Sequence, residues 1–496
     1  MDQSNKVAQV AQRIRDMVHG GTLRAGDALP STRSFATQLG IARGTVVAAY
    51  EQLDGEGYIR TRPGAIARVV SDVPLGIMTP APIEVKPKPA EGTPVVDLRP
   101  GIPAVTAFPA REWRAAWRFA AVLPLRNTLS DPHGSIRLRE QIAALGLARG
   151  FVPAPAQVIV AGGTAEALSV ITEAFRTLRG RNPRFVIEDP GYRSGRLAIL
   201  GAGGEVVGVP VTDDGLDLDA LETLAHEHGI PDAVMVTPTH QYPLGSVMPV
   251  TNRRRLLQWA EVNGVIVIED DYDSEFRHRG VPMPALASLD TAGVVIHLGS
   301  FSKILDPRLR CAYIVLPAGG EHDTPASGEE GDGSVGVRVA EAVRAARAAR
   351  GPVVAEVTQE ALAHLMRSGA LRRHLGRVRR DYAHRRNHIA TRLTGPAIPG
   401  LEIRALAGGL HAVLTWAPPD AVTEPGHVPD ARAMRQRLAR SGFLVEELAN
   451  YATTPETALN GIVLGYGAVT LPELDRALDA ILNDHAATLD TTALGG

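Results

Sequence analysis

Apolar residues near the N-terminus recur first at helical spacing and then alternate, and that change of period outlines a small domain. Val7, Val10, Ala11, Ile14, Met17 and Val18 share one face of a helix over residues 5–19. The Gly20-Gly21 pair breaks it, a turn follows at Gly26-Asp27, and Pro30-Ser31 marks a second helix that Gly40 stops. A third helix from about Ala42 to Asp54 buries Val46, Ala49, Tyr50 and Leu53. Alternation from Tyr58 to Val70 around Arg62-Pro63-Gly64 predicts a hairpin. Two short helices joined by a tight turn and followed by a basic hairpin describe a winged helix-turn-helix over residues 1–70.

From Ser71 to Pro103 proline dominates and periodicity vanishes, which predicts an extended, semi-rigid connector; the linker is placed at 71–95 and a second domain at 96–490. Beyond it, short apolar runs alternate with helical stretches. The runs are Val158–Ala161, Phe185–Ile187, Val206–Val209, Ala233–Val236, Val265–Ile268, Val294–Leu298 and Ala312–Leu316. Continuous β-branched runs separated by helices predict a buried, mostly parallel α/β sheet. The segment 318–336 is rich in Gly and acidic residues and reads as a disordered insertion. Helices dominate after Val337, and a small α/β portion begins near Leu401.

At 496 residues the chain exceeds one core and divides into domains. The single cysteine, Cys311, excludes an intramolecular disulfide and fits a reducing, cytoplasmic setting. No basic-then-apolar start and no membrane-length apolar run is present, which argues against secretion or insertion. The net charge of -2 hides an asymmetry: residues 1–70 hold nine Lys/Arg against six Asp/Glu. A DNA footprint, if present, is local to the N-terminus.

Ligands of doubly wound sheets sit at the carboxyl ends of strands, and polar residues fall there repeatedly. Gly162-Gly163-Thr164 opens a helix and offers free N–H groups and a hydroxyl to a phosphate, although Gly-Gly before a helix is usually only a turn. Tyr192, after Glu188-Asp189-Pro190-Gly191, either lies over a ring or closes a Pro-Gly turn. The cluster Glu269, Asp270, Asp271, Tyr272, Asp273 can bind a metal, face solvent, or pair with a protonated ring nitrogen; the absence of nearby His or Cys in sequence lowers the metal reading. Lys303, bracketed by Ser300, Ser302 and Arg310, can form a Schiff base beside a phosphate held by hydroxyls and a guanidinium. Phosphate donors, ring stacker, ring-nitrogen acid and lysine in that order specify pyridoxal 5′-phosphate.

The motifs "LPSTRSFATQLGIARGTVVAAYEQLDGEGYI" (29–59), "DPHGSIRLREQIA" (131–143), "EDPGY" (188–192), "TPTHQYPLGSVMP" (237–249), "EDDYDSEF" (269–276) and "SFSKILDPRLR" (300–310) make the chain resemble the MocR/GabR-type regulators, in which a GntR-type winged helix precedes a fold-type I aminotransferase-like domain. The resemblance implies Lys303 as the Schiff-base lysine, Asp270 as ring-nitrogen partner, Tyr192 as stacking residue, and Gly163, Thr164, Ser300, Ser302 and Arg310 as phosphate ligands. Tyr272 matches a position near the cofactor. "YPLG" puts Tyr242 where aminotransferases carry Asn. On the DNA side it implies base readout by Arg43, phosphate or mixed contacts from Arg33 and Thr45, and wing contacts from Arg60 and Arg62. The wing tip "PGAIA" (63–67) departs from the family's Gly-Ser-Gly-Thr type. The seven arginines between Arg372 and Arg386 read as a solvated helix making ion pairs, with a supporting DNA contact as the alternative.

One departure bears on function. Aminotransferases grip the substrate α-carboxylate with an arginine in a pattern like "LRLGF"; here Ile462-Val463-Leu464-Gly465-Tyr466 places Val463 there. Losing such a buried partner costs about 2–5 kcal/mol of binding. Arg193 or Arg196 remain candidate substitutes. The branch most compatible with this departure resembles PdxR regulators, which respond to pyridoxal phosphate itself. The expectation is a homodimeric, operator-binding regulator that senses pyridoxal phosphate. The alternatives are response to an amino acid or amine through Schiff-base exchange, an active aminotransferase with a DNA-binding appendage, and a regulator with a vestigial, cofactor-free domain.

Overall fold

The computed structural model describes residues 3–62, 65–70, 95–276, 283–317, 334–393, 401–416 and 429–493, with side chains from Lys6 to Ala486 within those spans. The chain divides into two compact units, residues 1–91 and 92–496. The linker 71–95 and the wing tip at Pro63-Gly64 lie almost wholly outside the described residues.

In the first unit, helices Gln3–His19, Thr32–Leu39 and Arg43–Gly55 precede an antiparallel pair, Ile59–Arg60 with Arg68–Val69. Ser31 accepts a hydrogen bond from the Ser34 amide and caps the second helix, which Gly40 ends in a left-handed conformation (φ 61°). Val10, Ile14, Val18, Leu29, Phe35, Val46, Ala49, Leu53, Ile59 and Val69 close one apolar core. The Asp54 carboxylate accepts from the amide and hydroxyl of Thr61, which ties the third helix to the hairpin.

The second unit is built on an eight-stranded sheet. Its order is Val158–Ala161, Ala312–Val315, Val295–Ser300, Ile266–Asp271, Ala233–Val236, Arg184–Asp189, Glu205–Thr212 and Gly215–Leu216. The central pairings are parallel; Ala312–Val315 runs antiparallel to both neighbours, as does the short last strand. All seven apolar runs are strands of this sheet; helices cover both faces and bury most of their side chains, whereas Val206–Val209, toward one edge, is mostly half-buried. A second, antiparallel sheet joins Leu401–Arg404, His411–Trp416, Gly461–Gly465 and Glu446–Glu447.

One boundary moves. The insertion expected through Gly336 ends sooner: Ser334 caps a helix, Val335–Arg350, by accepting from the Val337 amide, and Val339, Ala340 and Val343 bury against the main sheet. Residues 318–333 lie outside the described set. The start of the second domain at residue 96 coincides with the strand Val96–Asp97, which pairs in parallel with Phe443–Leu444 beside the small C-terminal sheet. Among the described residues no helix is long and apolar enough to cross a membrane, and no group of three or more His, Cys, Asp or Glu could hold a metal ion.

Candidate functional site

Five strand ends of the main sheet converge on a cavity of about 190 Å3. Gly163, Thr164 and Ala165 enter it from the end of Val158–Ala161, Tyr192 from Arg184–Asp189, and Tyr242 from the turn after Ala233–Val236. Asp270 and Tyr272 come from Ile266–Asp271; Ser300, Ser302, Lys303, Pro307 and Arg310 follow Val295–Ser300. All ten residues singled out in this domain therefore line one space. Sequence spacing alone could not bring them together; the strand order of the main sheet does.

One end of the cavity is electropositive. Gly163 sits at φ 126° and caps the helix Thr164–Arg179, leaving the first N–H groups free. A Cβ on Gly163 would lie 2.9 Å from Nη2 of Arg310, so only glycine lets the guanidinium close on that helix end. Among the described residues Arg310 makes no ion pair, and with Ser300 and Ser302 beside it the end suits a dianionic phosphate.

The opposite wall holds a carboxylate in want of a partner. Asp270 is 4% exposed, and its Oδ1 has no hydrogen-bond partner among the described residues. Burial, with Asp271, Asp273 and Glu188 nearby, pushes its carboxyl up to about 7, against a smaller pull from His297. Such a group seeks a proton donor or a cation, and a basic ring nitrogen supplies either. Lys303 donates from Nζ to the Gly101 carbonyl at 2.9 Å. Burial lowers its amine below the usual lysine range, against the opposing pull of Asp270 and Asp273, which makes it a better nucleophile near neutrality.

Tyrosines form the remaining wall. Tyr242 packs edge-on to Tyr272, Tyr192 and Tyr451, and its hydroxyl lies 3.2 Å from that of Tyr451. Burial raises the Tyr242 and Tyr272 hydroxyls well above their ordinary range, so both remain protonated. Val463 is fully buried in an apolar cluster with Leu244, Ala405, Val413, Leu448 and Tyr451, and Tyr242 packs on it. Arg310 is the one arginine among the described lining residues. Arg193 is exposed, and the Arg196 guanidinium donates to the Ala452 carbonyl instead of entering the cavity.

In the N-terminal unit Arg33, Arg43, Arg60 and Arg62 are exposed, with Arg43 opening the third helix. Thr45 is different. It is 2% exposed and turned into the core, because the third position of that helix faces inward with Val46 and Ala49; its side chain is not presented for a contact. Of the arginines between 372 and 386, Arg373 pairs with Glu112 and Arg379 with Glu275, while Arg385 and Arg386 donate to the carbonyls of Tyr466, Gly467 and Leu406. That helix is held by internal bonds.

Two residues escaped sequence reading. Gly101, inside the proline-rich stretch that runs to Pro103, was given no role. Its φ of 81° and its contact with Lys303 have no local signature beyond a Pro-Gly pair. Arg68 lies directly across the hairpin from Arg60, and both are exposed. Like charges facing across a strand pair destabilise it, and the Arg68 guanidinium is held by donating to the Gly26 carbonyl.

Residues 6–69 match the family "Bacterial regulatory proteins, gntR family", and residues 94–481 match "Aminotransferase class I and II". The chain is 38% identical over 463 residues to the HTH-type pyridoxine biosynthesis transcriptional regulator PdxR of Corynebacterium glutamicum, covering 93% of this chain and 91% of that protein. It is 32% identical over 416 residues to a probable rhizopine catabolism regulatory protein, MocR, of Rhizobium meliloti, covering 78% of each. Among solved structures, a multiple substrate aminotransferase from Thermococcus profundus matches with a TM-score of 0.67 at 22% identity, over 81% of this chain and 93% of that one. The α-aminoadipate aminotransferase LysN of Thermus thermophilus matches with a TM-score of 0.66 at 22% identity, over 80% and 93%. At these identities the structures speak to the fold alone.

Proposed function

Because the chain belongs to the class I and II aminotransferase family and carries a GntR-type domain ahead of it, as transcriptional regulators of the MocR type do, we propose that it senses pyridoxal 5′-phosphate and that occupancy controls its grip on operator DNA. The residues present fit that group. Arg310, Ser300, Ser302 and the N–H groups after Gly163 would hold the phosphate, Tyr192 and Tyr242 would flank the ring, Asp270 would take its nitrogen, and Lys303 would anchor it covalently. When bound, the cofactor supplies an electrophilic carbon and a protonated ring able to take up electrons. Asp270, otherwise a buried carboxyl without a partner, would keep that ring protonated, and Lys303, whose amine burial pulls below the usual lysine range, would be the nucleophile that holds it.

The observation that carries the sensing role is Val463 in its apolar cluster. An α-amino acid brings a carboxylate, and the described cavity offers no second guanidinium to meet it. The name of the Corynebacterium relative, a regulator of pyridoxine biosynthesis, supports genes of vitamin B6 supply as targets. Intact Lys303 and Asp270 leave a half-reaction with an amine chemically open, but the same lack of a carboxylate grip works against repeated turnover. Self-association is supported by Val122, Leu125 and Leu129, which are 79%, 100% and 86% exposed on one loop. A dimer would place two winged helices on paired half-sites.

The test is a spectroscopic titration with pyridoxal phosphate and separately with amino acids, run alongside DNA binding to sequence adjacent to the gene. Cofactor alone is expected to change both the spectrum and the DNA affinity, and Lys303→Ala to abolish the covalent spectrum. A DNA response that needs an amino acid overturns the reading, and so does sustained keto-acid formation.

A further inference from the structure

The strand Ile266–Asp271 turns Asp270 toward the cavity and Glu269 and Asp271 to its other face, since side chains alternate along a strand. A closed set of charges lies there, behind the site. Glu269 is fully buried; its Oε1 accepts from the Leu286 amide at 2.6 Å and its Oε2 from the Ala287 amide at 3.1 Å. His297 stands directly across from Glu269 on the neighbouring strand, 2% exposed, with Nδ1 2.9 Å from that Oε2. Its Nε2 lies 3.9 Å from Oδ2 of Asp271, the same oxygen that Nη2 of Arg149 approaches at 2.9 Å. Phe151 packs edge-on to the imidazole with ring centres 5.1 Å apart, and the Tyr313 ring lies 6.3 Å away.

Charge balance sets the state of the imidazole. Two carboxylates against the Arg149 guanidinium leave one buried negative charge in excess, and a doubly protonated ring cancels it. Burial opposes that proton, but Glu269 and Asp271 outweigh it, so the ring's pKa stands above the ordinary histidine range. The other charged and titratable groups facing the ring are Arg149, which works against its proton, and the Tyr313 phenol, which burial keeps neutral. The resulting cation acts one residue away. Burial and then Asp271 push the Asp270 carboxyl up, Asp273 and Glu188 add to this, and His297 draws it back toward the anion.

We propose that His297, held as a cation between Glu269 and Asp271, is a positioning residue that keeps Asp270 ionised opposite the ring nitrogen of pyridoxal phosphate. This rests on the cofactor reading above. The Asp270 carboxylate and the ring nitrogen share one proton. A positive charge behind the carboxylate favours that proton on the nitrogen. Without it the proton moves toward oxygen, and the ring loses the charge that lets it take up electrons. His297 makes no contact with the cofactor and acts through Asp270 alone. Arg149 serves the same end by neutralising Asp271, which otherwise drives Asp270 further toward its acid form.

The experiment uses the full-length protein loaded with pyridoxal phosphate labelled at its ring nitrogen, whose magnetic resonance signal reports where the shared proton sits. His297→Gln removes the charge while its amide can still donate to Glu269. It is expected to shift the proton about tenfold toward Asp270, read as a displaced signal over the pH range in which the pair holds one proton. His297→Lys returns a cation to the slot and is expected to restore the wild-type signal. Asp270→Asn marks the position of the unprotonated ring. A wild-type signal in His297→Gln overturns the proposal even if that variant is less stable, because His297 then serves the fold alone. A His297→Lys signal displaced as far as that of Gln overturns it too. If His297→Gln does not fold, His297→Asn takes its place with the same expectation. Wild-type protein that takes up no pyridoxal phosphate defeats the cofactor reading itself and is thereby told apart from failure of this inference.

Discussion

The amine of Lys303 donates a hydrogen bond to the Gly101 carbonyl at 2.9 Å, across 202 residues of sequence. Gly101 cannot be exchanged without cost. A Cβ there would lie 2.1 Å from Nζ, and a φ of 81° is one that other residues rarely adopt. Gly101→Ala is expected to cost roughly 1–3 kcal/mol in strain and to weaken pyridoxal phosphate binding by about tenfold or more. Absorbance titration measures it; unchanged affinity would mean that the Gly101 backbone gives way freely.

Asp270 and Glu188, both buried, have carboxyls pushed up to about 7. Folding therefore binds protons that the unfolded chain has already released. Their contribution to the stability of the cofactor-free protein is full below the ordinary carboxylate range and is lost as pH rises toward 7, by an amount on the order of a few kcal/mol. Thermal denaturation across this interval should show melting temperature falling with pH. Asp270→Asn should flatten part of the slope, and the double variant with Glu188→Gln most of it. Saturating pyridoxal phosphate should also flatten it, since a protonated ring nitrogen pairs with the Asp270 carboxylate.

Val463→Arg tests whether an arginine at this position can grip an amino-acid carboxylate. A guanidinium set among Leu244, Val413 and Leu448 is uncompensated, and the variant should lose several kcal/mol of stability. An added α-amino acid should recover part of that loss, while wild-type melting stays indifferent to it. Recovery in neither protein would mean that the carboxylate has no route to position 463.

On the DNA side, Arg43→Ala should cost about 1–3 kcal/mol and relax sequence preference at one position, as expected of a side chain reading a base edge. Arg68→Ala on the hairpin should weaken binding evenly across sequences and lower the salt dependence by about one counterion. Thr45→Ala should act on folding stability and leave the preference unchanged, because its side chain is in the core. Binding isotherms at several salt concentrations separate these three outcomes.

What could be read from sequence followed the strength of the local signal. Buried strands carry unbroken apolar runs, so all seven were legible, and polar residues after five of the runs line the cavity because the topology brings those strand ends together. Side-chain direction was not legible at Thr45: a short amphipathic helix leaves one position of uncertainty about which residues face inward. Gly101 was lost because a proline-rich stretch hides the point at which irregular chain becomes ordered. Ser334 was lost because a serine within a Gly-rich acidic segment reads as disorder until the helix it caps is seen. Arg68 needed the register of the hairpin before its opposition to Arg60 had any meaning.

The pairing of Val96–Asp97 with Phe443–Leu444 has a mechanical consequence. The chain enters the second unit through its minor lobe, next to the sheet that carries Val463, and passes Gly101 before reaching the main sheet. Five residues of chain thus separate a strand pair of the C-terminal portion from the carbonyl that holds the Lys303 amine, so the two are tied through one short covalent span.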